Sequence, residues 1–74
     1  MKNSRPTARA LKMLIKKYPE GTLVELVKMK DKWAPPKGTR GKVKYVDSYG
    51  TIFVDWETGS GLGVGYKVDK IRKV

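Results

Sequence analysis

The chain has 74 residues and a mass of 8.4 kDa, which allows one small domain. Seventeen Lys and Arg oppose seven Asp and Glu, so the formal net charge is +10, and the sequence contains neither histidine nor cysteine. Those two absences exclude a disulfide framework, a thiolate zinc site, a cysteine nucleophile and a histidine general base. We therefore expect a protein that is not an enzyme and that needs no metal and no cofactor.

Hydropathy argues against a membrane protein. The longest apolar runs, Met13–Ile15 and Ile52–Val54, have three residues each, far short of the roughly 20 residues that cross a bilayer. The basic N-terminus lacks the apolar stretch of a secretory signal. Together with the absence of cysteine, this pattern predicts a cytoplasmic protein, and a monomer is the default expectation.

Charge divides the chain into two parts. Residues 1–19 carry six Lys or Arg and no acid, whereas residues 20–74 carry eleven bases and seven acids. The division falls at the sequence Tyr18-Pro19-Glu20-Gly21, where proline disfavours a helical Tyr18 and glycine frees the turn. We predict one folding unit, made of a basic helix within residues 1–19 and a β-domain over residues 20–74.

The first part is typical of an amphipathic helix from Pro6 to Lys17, capped by Ser4 or Thr7. So short a helix is not stable alone, so we expect its apolar side to dock on the β-domain, with another chain or a lipid surface as alternatives. Helical spacing places Met13 outside that apolar side. The apolar side comprises Ala8, Leu11, Leu14, Ile15 and Tyr18, and a separate stripe comprises Arg5, Arg9, Lys12 and Lys16.

The second part is typical of short strands joined by turns. The predicted strands are Thr22–Lys30, Thr39–Asp47, Thr51–Glu57, Leu62–Tyr66 and Ile71–Val74. Alternation places Val24 with Leu26 on one strand face, and Val43 with Tyr45 on another. Trp56 alternates with Ile52 and Val54, and we expect it to belong to the core. In the fourth strand every second residue is glycine, which indicates bending, a bulge or a closely approaching backbone. A single helical turn is expected at Val68-Asp69-Lys70.

Five short, bent strands predict a mainly β fold: a small five-stranded SH3-like barrel, closed on itself, preceded by one basic amphipathic α-helix. Closure is expected because a flat sheet of such short strands exposes its edges.

Residues 19–74 resemble a family of short uncharacterised SH3-like barrel domains found in bacteria, phages and plasmids. The resemblance is carried by Gly21-Thr22-x-Val24-Glu25-Leu26, Met29-x-Asp31-x-x-Ala34-Pro35-Pro36-x-Gly38-Thr39-x-Gly41-x-Val43 and Val46-Asp47-x-x-Gly50-x-Ile52-x-Val54-x-Trp56-x-x-Gly59-Ser60-x-Leu62. The segment Gly38-Thr39-x-Gly41-x-Val43 and the strand ending in Trp56 are more loosely similar to KOW, Tudor and CAP-Gly barrels. The resemblance implies a protein of a phage or other mobile element, and the basic helix lies outside it.

Clustered bases indicate contact with the phosphates of DNA or RNA, because neutralising phosphates releases counterions. The Trp33 ring is either a surface on which bases stack or a lid on the core. The Phe53 ring is either a second stacking surface or a side chain that packs against the docked helix. The candidate binding residues are Arg5, Arg9, Lys12, Lys16, Lys32, Trp33, Lys37, Arg40, Lys42 and Lys44.

Other functions use the same residues. An acidic surface of a bacterial nucleic-acid-handling or defence complex, such as a nuclease, is an alternative partner, which would make the protein an antagonist or adaptor. A ribosome-associated factor is a weaker alternative. Tyr66 with Trp33 and Pro36 is a candidate peptide groove. Asp55 and Glu57 share a strand face, but we interpret them as solvated carboxylates that balance nearby lysines.

Overall fold

The computed structural model describes residues 5–74, and its architecture is one helix against one five-stranded antiparallel sheet. The elements are α1 (Ala8–Lys17), β1 (Leu23–Lys28), β2 (Arg40–Val46), β3 (Ile52–Trp56), β4 (Gly63–Val64) and β5 (Lys70–Lys73). The strand order is β4-β3-β2-β1-β5, so the mainly β prediction is confirmed. The predicted closed barrel is wrong, because the edge strands β4 and β5 do not pair with each other. β4 has two residues and β5 has four, so these strands have few backbone groups with which to form hydrogen bonds to each other.

Helix α1 begins at Ala8, two residues after the predicted start. The hydroxyl oxygen of Thr7 accepts a hydrogen bond from the Ala10 N–H at 3.1 Å, so Thr7 is the N-cap. The alternative cap Ser4 and the basic Lys2 lie outside the described residues. The helix ends at Lys17, because Pro19 disfavours a helical conformation at the preceding residue, Tyr18. Tyr18 is the C-cap, and its N–H donates to the Leu14 carbonyl at 2.9 Å.

The core lies on one face of the sheet, which we call the inner face. Its most deeply buried side chains, Val24 and Val54, have no exposed surface. Trp56 is 2% exposed, and its indole N–H donates to the Leu62 carbonyl at 2.9 Å. The buried apolar side chains are Tyr18, Val24, Leu26, Val43, Ile52, Val54, Trp56 and Val64.

The helix packs on this core through fewer residues than predicted. Tyr18 is 7% exposed, and Leu14 is half-buried against the core. Ile15 is 48% exposed, so its predicted docking is wrong, whereas the predicted exposure of Met13 is confirmed at 66%. No helix among the described residues is long and apolar enough to cross a membrane.

A bulge in β2 overturns the prediction that Tyr45 shares a strand face with Val43. Val43 pairs with Val54, but Tyr45 pairs with Phe53, which leaves Lys44 as an extra residue. The side chains beyond the bulge therefore change faces. Tyr45 is 55% exposed and stacks on Phe53 with ring centroids 4.8 Å apart.

Glycines allow close packing in both β2 and β4. A Cβ on Gly41 would lie 2.7 Å from the Asp55 carbonyl oxygen, so a side chain there would displace the backbone of β3. A Cβ on Gly63 would lie 2.5 Å from Thr51 Cγ2, so at β4 it is a neighbouring side chain, rather than another backbone, that approaches closely.

The turn before β5 differs from the predicted helical turn at residues 68–70. The turn occupies residues 66–68, Lys67 has a positive φ of 59°, and Lys70 already belongs to β5. Asp69 fixes this shape, because its two carboxylate oxygens accept the Lys30 N–H at 2.9 Å and the Gly65 N–H at 2.8 Å. The turn is thereby attached to the chain that follows β1.

Candidate functional site

All ten predicted binding residues are exposed, but they do not form one surface. They lie on the helical segment, on the loop between β1 and β2, and on β2. The helical group is Arg5, Arg9, Lys12 and Lys16, the loop group is Lys32, Trp33 and Lys37, and the β2 group is Arg40, Lys42 and Lys44.

In the helical group, Arg9, Lys12 and Lys16 are spaced so that they share one side of α1. Arg5 precedes the helix and has a different role. Its guanidinium carbon lies 4.7 Å from the centroid of the Tyr49 ring, a cation–π distance. Arg5 therefore holds the start of the helical segment against the turn between β2 and β3.

In the loop group, Trp33 is 74% exposed, so the interpretation of Trp33 as a lid on the core is wrong. The Trp33 N–H donates to a carboxylate oxygen of Asp31 at 2.8 Å, which orders the loop backbone. The Lys32 ammonium lies 5.6 Å from the Trp33 ring centroid. The ring is thus presented to solvent beside a cation.

The outer face of the sheet carries acids opposite its bases. In the strand register, Glu25 pairs with both Arg40 and Arg72, and Lys42 pairs with Asp55. Arg72 Nε donates to Glu25 at 2.6 Å, and Arg40 Nε lies 3.7 Å from the same carboxylate. The hydrogen bond from Arg72 lowers the pKa of Glu25 below its ordinary value.

The remaining carboxylates near this face are also engaged or paired with bases. Glu57 accepts the Arg40 N–H at 3.1 Å, and Asp55 lines the same cleft of about 360 Å³ as Lys42. The outer face therefore presents alternating charges, and its bases attract a polyanion less than their number suggests.

A second concentration of bases was not among the predicted site residues. Lys28, Lys30, Lys67 and Lys70 line a concavity of about 220 Å³ between the end of β1 and the start of β5, together with Val68 and Asp69. We call this the lysine cleft. Lys28 and Lys70 pair directly in the strand register. Because residues so far apart in sequence meet only through the β1–β5 pairing, no local pattern indicated this cleft.

The lysine cleft is continuous with the C-terminal part of α1. A neighbouring cavity of about 200 Å³ shares Lys67, Asp69 and Lys70 with the cleft and is also lined by Leu14 and Lys17 of the helix. The ammonium groups of Lys17 and Lys73 lie 5.3 and 5.6 Å from the Tyr18 ring centroid. We define the helix-side basic surface as the bases of α1 together with those of the lysine cleft and Lys73, namely Arg9, Lys12, Lys16, Lys17, Lys28, Lys30, Lys67, Lys70 and Lys73.

The predicted peptide groove is not assembled by Tyr66. Tyr66 lines the same cavity as Leu14, and neither Trp33 nor Pro36 lines that cavity. The Lys67 ammonium lies 5.6 Å from the Tyr66 ring centroid instead. Between Arg5 and Val74, no group of three or more acidic side chains is arranged to hold a metal ion.

Comparison with known proteins identifies a family without a characterised function. Residues 7–74 match the family described as a domain of unknown function, DUF4314. The match includes α1, so the expectation that the basic helix lies outside the family is wrong. No curated protein and no solved structure matches the sequence significantly. Because the match extends over most of its length, the chain belongs to the DUF4314 family of domains of unknown function.

Proposed function

We propose that the protein is a non-catalytic binding module that contacts nucleic-acid phosphates through the helix-side basic surface. The observation that carries this proposal is the charge of the first described segment. From Arg5 to Lys17 the chain carries five exposed bases, and the first acid is Glu20. None of these five bases belongs to either ion pair found among residues 5–74, whereas a phosphate backbone supplies negative charges at regular intervals.

The dimensions of α1 suit this contact. Ten helical residues span about 15 Å at 1.5 Å per residue. Along the axis of a duplex, each strand contributes one phosphate every ~3.4 Å, so a helix that lies along the backbone faces several of them at once. Contacts to phosphates carry no sequence information, so we expect little preference for base sequence.

The distribution of acids favours the helix side over the outer face. On the outer face, Glu25, Asp55 and Glu57 lie among the bases of β2 and β5. On the helix side, Asp69 lies within the lysine cleft, and both of its carboxylate oxygens accept backbone N–H groups. The predicted contacts outside the helix have weaker electrostatic support, and they remain predictions. They are Lys32, Trp33, Lys37, Arg40, Lys42 and Lys44.

The strand order also supports the proposed SH3-like fold. In SH3-like domains four strands follow one another as a meander, and the fifth returns to lie beside the first. The order β4-β3-β2-β1-β5 has this arrangement, although the sheet is open.

A protein partner with an acidic surface is a second candidate, favoured by two exposed apolar residues of α1. Met13 is 66% exposed and Ile15 is 48% exposed, and neither side chain is useful to a phosphate backbone. Apolar side chains bordered by bases are typical of a protein interface. In that role the protein is an antagonist or adaptor of a nucleic-acid-handling complex.

The test removes the helix charges without touching the core. In Arg9→Gln/Lys12→Gln/Lys16→Gln, glutamine keeps a favourable helix propensity, and Arg5 is left in place because it packs on Tyr49. Binding of single-stranded and duplex DNA is measured against salt concentration. We expect the slope of log affinity against log salt to shrink by about 2 for single-stranded DNA, because each phosphate contact contributes ~0.7.

The matched variant Lys37→Gln/Lys42→Gln/Lys44→Gln removes the same charge from the loop and β2. We expect it to reduce the slope less than the helix variant does. An equal or larger reduction would contradict the assignment to the helix side. Absence of nucleic-acid binding by the unmodified protein at low salt would overturn the proposed function and favour the protein partner.

A further inference from the structure

The lysine cleft has the shape and the donors of an anion site. Lys28, Lys30, Lys67 and Lys70 surround a concavity of about 220 Å³, large enough for a phosphate group. Each ammonium group provides up to three hydrogen-bond donors. The acid in this concavity, Asp69, is bound by the N–H groups of Lys30 and Gly65 and holds the cleft's two sides together.

The strand register makes the cleft electrostatically unfavourable when it is empty. Lys28 and Lys70 occupy directly paired positions of β1 and β5. Like charges at paired positions of an antiparallel sheet destabilise it. A bound anion converts this repulsion into attraction, so the register favours an anion between the two strands.

The backbone at Lys67 is a second, independent observation. Lys67 has a φ of 59°, a left-handed conformation that glycine and asparagine adopt more readily than lysine. A long cationic side chain is therefore placed at the edge of the cleft despite its backbone cost. Such conformations are common at ligand-binding positions.

We propose that the lysine cleft binds one phosphate group of the nucleic-acid backbone and so anchors a strand that continues along α1. This inference rests on the proposed function. The cavity beside the cleft is lined both by Lys67 and Lys70 and by Leu14 and Lys17, so the cleft adjoins the helix. The cleft thereby fixes where on the helix-side basic surface the backbone lies.

The first experiment uses inorganic phosphate as the probe. Backbone amide shifts are followed by NMR during titration with phosphate, with sodium chloride keeping the ionic strength constant. We expect saturable shifts at Lys28, Lys30, Lys67 and Lys70. A single-stranded oligonucleotide is expected to displace the phosphate and to move the same four amides to the positions of the oligonucleotide complex. Shifts that rise linearly and equally at all lysines would overturn the inference, and so would saturable shifts that the oligonucleotide leaves unchanged.

The second experiment uses a variant designed to keep the fold. In Lys67→Asn/Lys70→Gln, asparagine suits the left-handed conformation, and both charges are removed. We expect the salt-dependence slope for single-stranded DNA to fall by ~0.7 for each phosphate that the variant no longer binds. Lys37→Gln/Lys42→Gln, which removes equal charge elsewhere, is expected to change the slope less.

The two proposals fail in different ways. If the helix variant weakens binding and the cleft variant behaves like Lys37→Gln/Lys42→Gln, the inference about the cleft is wrong and the proposed function stands. If the unmodified protein does not bind DNA at low salt, both fail, whatever the phosphate titration shows. Thermal melting of both double variants verifies that each is folded.

Discussion

At the scale of single residues, carboxylates act as internal connectors. Asp31, Asp47 and Asp69 each accept backbone N–H groups that shape a turn. Glu25 lies at the centre of the outer face, with its side chain 16% exposed, and both ion pairs found among residues 5–74 involve it. The acids keep their charge in these roles, but seven of them cannot balance seventeen bases.

The contact between Glu25 and Arg72 predicts a pH dependence of stability. The folded-state pKa of Glu25 is lowered, chiefly by the Arg72 hydrogen bond, so the ionised carboxylate stabilises the fold above its ordinary pKa. That stabilisation is lost as the pH falls through the lowered pKa. We expect Glu25→Gln to reduce the free energy of unfolding at pH 7 and to reduce it less at pH 3, as measured by urea denaturation.

Arg72→Gln provides the matched partner change. It is expected to remove the same pH-dependent contribution, and the double variant is expected to lose little more. A deficit of Glu25→Gln that is equal at both pH values would mean that packing of the side chain, rather than its charge, accounts for the effect.

At the scale of elements, the alternation of apolar residues predicted the inner face of the strands, but it did not predict the bulge in β2. Val24 and Leu26 share a face, and Trp56 is in the core with Ile52 and Val54, as their two-residue period indicated; all five are buried. Tyr45 was misplaced because a bulge depends on pairing with β3, which no single strand encodes. The helix was recognised by its period, but its contacts depend on the sheet beneath it.

The docking of α1 predicts different costs for two adjacent residues. Leu14 packs against the core, so we expect Leu14→Ala to cost about 1–2 kcal/mol, below the range for a fully buried leucine. Ile15 is 48% exposed, so Ile15→Ala is expected to change stability by less than about 0.5 kcal/mol. Chemical denaturation measures both values. Equal losses, or a larger loss for Ile15→Ala, would contradict the described packing of the helix.

At the scale of the whole molecule, bases that are close in sequence lie in different surroundings, and bases that are distant in sequence become neighbours. Sequence reasoning identified the basic helix but grouped it with the bases of β2. The structure instead places Arg40 and Lys42 among acids on the outer face, and brings Lys28 and Lys70 together through β1–β5 pairing. Because strand pairing determines which side chains are neighbours, the lysine cleft was not predictable from local sequence.

The central claim is that nucleic acid binds on the helix side, and NMR mapping with a single-stranded DNA oligonucleotide tests it most directly. We predict that amide shifts concentrate on residues 8–17 and on the lysine cleft, and that they diminish steeply as salt is added. Shifts centred on Lys42, Tyr45 and Phe53 of the outer face, or no shifts at low salt, would contradict the claim.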